Sequence, residues 1–161
     1  ALLAASNAPC HKHTHPWKFY ILGKATRSKL IPTISRLAAI KSAKQNSDNL
    51  EADCSRAINK ITQPPLLIAV TSKKTKEDAF REKEDYAATV CALHNMVLSL
   101  WENGVGSQWS TGSITRDAET YEILSIDSNT EEIIGFVKAG YPVKIREVRK
   151  KPVVDIVNYL D

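Results

Sequence analysis

The sequence predicts an α+β protein in which helices flank a sheet. Two continuous apolar runs, Leu66–Thr71 and Ile133–Ala139, carry the mark of strands buried on both faces. Two further segments place apolar residues at helical spacing: Leu30, Ile34, Leu37 and Ala38, then Leu50, Cys54, Ala57, Ile58 and Ile61. A longer segment from Glu82 to Asn103 is apolar on nearly every side, so it is either central or shared with a partner chain.

The elements follow in order. Ala1–Ala5 reads as the end of a helix, stopped by Ser6–Asn7–Ala8–Pro9, because the residue before a proline is driven out of the helical region. Trp17–Leu22 is aromatic and β-branched and reads as a strand closed by Gly23. Pro32 fits only the first turn of the next helix, which runs to about Lys44. After the polar stretch Gln45–Asp48, Asp48 is the expected cap of the second amphipathic helix. Pro64–Pro65 ends that helix ahead of the first buried strand. Ser72–Lys83 is charged with mixed signs and reads as a solvated loop. The long apolar helix stops at Gly104. Thr115 is the expected cap of a short helix reaching Leu124, and Gly140–Tyr141–Pro142 ends the second buried strand. A basic stretch, Arg146–Lys151, precedes an apolar tail of Val153, Val154, Ile156, Val157 and Leu160.

Size and composition narrow the classes. The 161 residues suffice for one domain with a real core, and 43% hydrophobic with 25% charged residues is ordinary for a water-soluble globular chain. No apolar run is long enough to span a bilayer. Cys10, Cys54 and Cys91 are odd in number and show no CxxC spacing, which favours a reducing compartment over a disulfide framework. A cytoplasmic protein is the first expectation. The sequence has no initiator Met and no basic residues ahead of Ala1–Ala5, so it reads as N-terminally incomplete and leaves organellar targeting open. The net charge of +4 suits a small anionic ligand as well as a nucleic acid.

Several constellations invite chemistry. His11, His13 and His15 would share one face of an extended segment, which suits zinc or copper, but no further ligand stands at a fitting spacing, and a polar loop is the first reading. Gly104–Val105–Gly106 lacks the third glycine of a dinucleotide fingerprint and follows a helix rather than a strand. Trp109–Ser110–Thr111–Gly112 offers an apolar ring, two hydroxyls and close backbone access, as a planar heteroaromatic ligand requires. On these four residues alone, a surface turn with a half-buried tryptophan is the first reading. His94–Asn95 reads as a hydrogen-bonded core pair. Cys10 beside His11 is a weak suggestion of an activated thiolate. Lys144, Arg146, Arg149, Lys150 and Lys151 read as a solvated basic face that can also meet a phosphate. No nucleophile–base–acid order stands out, so no catalytic residue is assigned.

Taken together and in order, the motifs resemble the nitroreductase family. The matching pieces are Ala8–Pro9–x–His11 with Pro16–Trp17–Lys18–Phe19, Gln63–Pro64–Pro65–Leu66–Leu67–Ile68, and Glu82–x–Glu84–Asp85–x–Ala87. They continue with His94–Asn95–Met96, Gly104–x–Gly106–Ser107–x–Trp109–Ser110–Thr111–Gly112, and Ile133–Ile134–Gly135–Phe136 leading to Gly140–Tyr141–Pro142. The resemblance covers nearly the whole chain and implies one nitroreductase-like domain over residues 1–161. It further implies a mixed, mainly antiparallel sheet flanked by helices in an intertwined homodimer.

The resemblance also implies an FMN at the dimer interface, with NADH or NADPH as electron donor and a nitroaromatic, quinone or enone as small-molecule acceptor. Because the flavin carries the chemistry, no protein acid or base is needed. Carried over position by position, Asn7 and His11 contact FMN from the partner chain, while Trp109, Ser110 and Thr111 form the second flavin segment. The donor is expected at Ser99–Gly104. No metal, nucleic acid or membrane is implied. The chain departs from the family in lacking the opening Arg-Ser phosphate motif, in Ser110 where arginine is frequent, and in His94 where glutamine is common. Arg149–Lys151 are the substitutes for phosphate contact. The alternative is a non-enzymatic, degenerate flavin-binding dimer that has lost the anchor, and a basic nucleic-acid-associated domain is a weaker third reading.

Overall fold

A computed structural model describes residues 1–145 and 147–160. Its frame is a four-stranded sheet in which β1 (Trp17–Ile21) pairs with β2 (Leu66–Lys73), β2 with β4 (Glu131–Gly140), and β4 with β3 (Gly106–Ser110). All of these pairings are antiparallel. The helices are α1 (Leu2–Ser6), α2 (Lys24–Lys29), α3 (Ile31–Lys44), α4 (Leu50–Thr62), α5 (Ala79–Glu102) and α6 (Ala118–Leu124). The expected α+β class, with helices flanking a mainly antiparallel sheet, is the observed one.

β2 explains why an unbroken apolar run forms a strand here. Successive side chains point to opposite faces. Leu67 and Ala69 join one core with Leu30, Ile34, Ile61 and Phe136, beneath α3 and α4. Ile68 and Val70 join the other with Ala5, Ala92, Leu93, Met96 and Val137, beneath α1 and α5. Burying a side chain such as Leu67 contributes about 1.5–3 kcal/mol, and both cores draw on the same two central strands. A bulge between Val70 and Thr71 faces Ile134, so Val70 pairs with Gly135 and Thr71 with Ile133.

Several local expectations are corrected. The cap of α4 is Asn49, whose side chain accepts from the Ala52 N–H at 2.9 Å; Asp48 stands one residue too early to reach that amide. The segment 72–83 is not all loop, since β2 runs to Lys73 and α5 begins at Ala79. Asp78 caps α5 by accepting from the Arg81 N–H at 2.9 Å. Thr115 caps no helix: it donates to the Gly112 carbonyl at 2.9 Å inside a short 3-10 turn, and α6 starts at Ala118. His94 is exposed rather than part of a core pair, while Asn95 donates to the Ala4 carbonyl at 3.3 Å.

Beyond its charged first turns α5 is apolar on nearly every side but covered on one side only. Ala88, Ala92, Leu93 and Met96 are buried, whereas Leu98 and Trp101 are 53% and 51% exposed. The tail forms no strand. It holds one 3-10 turn, Val153–Asp155, and Val153, Val154, Ile156 and Leu160 are all exposed. Arg146 of the predicted basic face lies outside the described residues. No helix among them is long and apolar enough to cross a membrane.

Candidate functional site

The glycine-bounded segment after α5 is a strand rather than a loop. Gly104, at φ 73°, turns the chain out of the helix, and Gly106–Ser110 then pairs with Gly140–Phe136 along the edge of the sheet. Alternation along β3 sends neighbouring side chains to opposite faces. Ser110 faces the α3/α4 side, where its hydroxyl donates to the Phe136 carbonyl at 3.2 Å. Trp109 stands opposite Val137, on the α1/α5 side, and its indole N–H donates to the Ile134 carbonyl at 3.2 Å. The indole occupies the space a side chain at Gly135 would need, since a β-carbon there would overlap the ring and meet the Ser110 carbonyl at 3.0 Å. The predicted wall Trp109–Ser110–Thr111 is therefore split across the sheet.

Thr111 is exposed at the end of β3 and begins the rim of a groove of about 310 Å³. That is near the lower end for small-molecule sites, which run from roughly 300 to 1,000 Å³. Its rim is Gln108 and Ser110–Ile114; Ile34, Leu37 and Ala38 of α3 and Ala57 and Ile61 of α4 supply apolar surface. Lys41, Lys60 and Lys138 complete it. Among the described residues, the backbone N–H groups of Thr111, Gly112 and Ser113 meet no acceptor, and because Gly112 is extended (φ 157°, ψ −172°) successive amides point in opposite directions, so the rim offers unpaired donors but not all three on one side. Unpaired amides beside apolar walls suit the carbonyls and ring nitrogens of a planar heterocycle. Burial pushes the Lys138 ammonium below its ordinary range, and the neighbouring Lys60 charge adds to that.

Asn7 and His11 lie elsewhere. Asn7 is the exposed C-cap of α1, and His11 opens a 3-10 turn whose first carbonyl accepts from Arg81 of α5 at 3.5 Å. The histidine segment is not extended: Lys12, His13 and His15 all sit at positive φ, so the imidazoles do not line one face as alternation would require. Among the described residues, no three His, Cys, Asp or Glu side chains gather as a metal site would need. Within one chain the structure thus brings Ser110 and Thr111 to the groove and leaves Asn7 and His11 on the α1/α5 side.

Sequence reasoning missed the three groove lysines. The available signal was Lys138, a charged residue interrupting an otherwise apolar strand. It also missed Glu131 at the other end of β4, which is buried and accepts from Thr71 at 2.6 Å and Tyr20 at 2.9 Å while pairing with Lys18. Burial pushes the Glu131 carboxyl up, but the bonds from Lys18, Thr71 and Tyr20 outweigh it and hold the group below its ordinary 4.5.

The two-sided sheet with an edge-strand groove belongs to a described class. Residues 1–141 match the model of the Nitroreductase family. The chain belongs to that family. It is 30% identical over 151 residues to the Bacillus subtilis (strain 168) protein named "Putative NAD(P)H nitroreductase YfhC", across 93% of this chain and 75% of that protein. Among solved structures, the nitroreductase-like family protein from Bacillus cereus superposes with a TM-score of 0.76 at 24% identity, covering 99% of this chain and 81% of the other. A nitroreductase with bound FMN from Bacteroides fragilis NCTC 9343 does so with a TM-score of 0.69 at 20% identity, over 99% and 84%. These two likenesses show the fold.

Proposed function

We propose that this chain is an FMN-dependent oxidoreductase that moves electrons from NADH or NADPH to a small-molecule acceptor of nitroaromatic, quinone or enone type. The observation that carries the reading is family membership over residues 1–141. The FMN held by the Bacteroides fragilis relative supports it, as do the unpaired amides at Thr111–Ser113. When bound, FMN supplies two-electron redox chemistry that no side chain provides.

The chain's own residues then have positional work. Unpaired amides of the Thr111–Ser113 rim would donate to the ring edge. Ser110, tied to Phe136, fixes the direction in which that segment leaves the sheet. Trp109 acts from behind, clamping β3 onto β4 through Ile134. Ile34, Leu37 and Ile61 keep water from the apolar side of the groove. Asn7 and His11 complete the flavin site from a second copy of the chain, and Arg149, Lys150 and Lys151 are exposed and available to a phosphate. A homodimer would have apolar surface to use: Leu98 and Trp101 of α5, with Leu3 at 76% and Phe80 at 72% exposure, are left uncovered by the described residues.

The test is purified full-length protein supplied with FMN. A yellow protein that bleaches anaerobically with NADH or NADPH is the expected result. Protein that stays colourless in excess FMN overturns the reading and favours the non-enzymatic relative. Thr111→Pro, which deletes one amide donor, should weaken FMN about tenfold while Thr111→Ala does not. Equal retention in both would refute the site. Leu98→Asp should shift the mass measured by light scattering from dimer to monomer.

A further inference from the structure

The groove holds three cations from three different elements: Lys41 of α3, Lys60 of α4 and Lys138 of β4. None of them donates a hydrogen bond or enters an ion pair among the described residues, and no carboxylate lines the groove. An adjoining hollow of about 240 Å³ shares Lys41 and Lys60 and adds Arg56, with Asp53 as its acid. Asp53 is already engaged by Ser42 and Arg56. The contrast with another basic hollow is informative. There Lys18 is paired with Glu131 and Lys74 donates to the Ser128 carbonyl at 2.8 Å, which leaves Lys73 as the one lysine of that hollow without a side-chain partner among the described residues, and the hollow carries an acid of its own.

Unpaired like charges around an apolar hollow raise the energy of the free protein, and a bound anion relieves it. Lys138 bears this out locally, being half-buried with its charge opposed by desolvation and by Lys60. Half-buried apolar surface from Leu37, Ala57 and Ile114 lies beside the charges, and the Thr111–Gly112 rim bounds the same groove. A free inorganic anion would leave that apolar surface wet. An apolar ring bearing an anionic substituent satisfies both parts.

We infer that the electron acceptor is an aromatic carboxylate, whose anionic group is held by Lys41, Lys60 and Lys138 while its ring packs on Leu37, Ala57 and Ile114. The inference rests on the oxidoreductase reading above and specifies its substrate class. For a nitro acceptor the balance is complete with the donor already named. NAD(P)H gives up a hydride to become NAD(P)⁺, one proton comes from solvent, and the nitro group loses one oxygen as water to become a nitroso group.

The test compares 4-nitrobenzoate with the neutral 4-nitrobenzamide on the FMN-loaded full chain. The ratio of their kcat/KM values should favour the benzoate, fall about tenfold in Lys138→Gln and in Lys60→Gln through KM, and be kept in Lys60→Arg. Added salt should lower it. Ratios that are the same in wild type and both glutamine variants overturn the inference. So do variants that shed FMN, since the lysines would then be holding the cofactor. Titrating each nitroarene into the protein without donor, followed by NMR, separates the two readings. Lysine-dependent benzoate binding without any turnover would keep the anion site and sink the oxidoreductase; turnover without lysine-dependent discrimination would do the reverse.

Discussion

The two ends of β4 face the same helical layer and treat charge in opposite ways. At one end Glu131 is surrounded by donors from Lys18, Tyr20 and Thr71, so every polar partner is matched within the chain. At the other end Lys138 meets two more lysines and no acid. The first arrangement binds β1, β2 and β4 together. The second has a missing counter-charge, and a missing counter-charge is what a ligand can supply. A buried charge with all its partners is architecture, and one without them is a reason to look for a site.

Four experiments break or sharpen that contrast. The largest effect is expected from Glu131→Ala, which strands the buried Thr71 hydroxyl and the Tyr20 phenol. Urea unfolding should show a loss on the order of 2–3 kcal/mol. Next is Gly135→Ala, between the two ends, where the new methyl group drives against the Trp109 indole and the Ser110 carbonyl. A loss of about 1–3 kcal/mol is expected, with a shifted tryptophan emission maximum. Third is the pH response. The folded-state value of Glu131 lies below its ordinary 4.5, so its contribution is complete above 4.5 and fades as pH falls through the lower folded-state value. The Tm difference between wild type and Glu131→Gln should therefore be widest near neutrality and shrink in acid; a constant difference would break the assignment. The smallest effect belongs to Lys138→Gln, expected within about 0.5 kcal/mol of wild type because it removes no bond. A large loss there would mean that the open end is structural after all.

The frame was legible because its two central strands are buried on both faces, which makes Leu66–Thr71 and Ile133–Ala139 conspicuous. The edge strand was not. Gly106–Ser110 has one partner strand and carries Gly, Ser and Gln, so it presents no alternating apolar pattern and reads as a loop. That error hid the separation of Trp109 from Ser110, because alternation applies only once a strand is recognised. α2 escaped notice since Lys24–Lys29 has no apolar stripe; its buried residue is Arg27, held by the carbonyls of Leu22 and Pro64. The groove was illegible for a different reason. Its lysines lie at positions 41, 60 and 138, and only the packing of α3 and α4 over β4 brings them together. The rim at Ser110–Gly112 was visible from residue types, whereas its freed amides depend on where β3 stops pairing.

The placement of Trp109 has a practical consequence for anyone following this molecule in solution. Trp17 packs in the α1/α5 core, Trp101 lies on α5, and Trp109 faces the same side. All three tryptophans of the chain thus report one layer. A loosening confined to α3 and α4, the layer that roofs the lysine groove, would lower the far-ultraviolet circular dichroism while the emission spectrum stayed still. Tryptophan emission alone would record such a protein as fully folded.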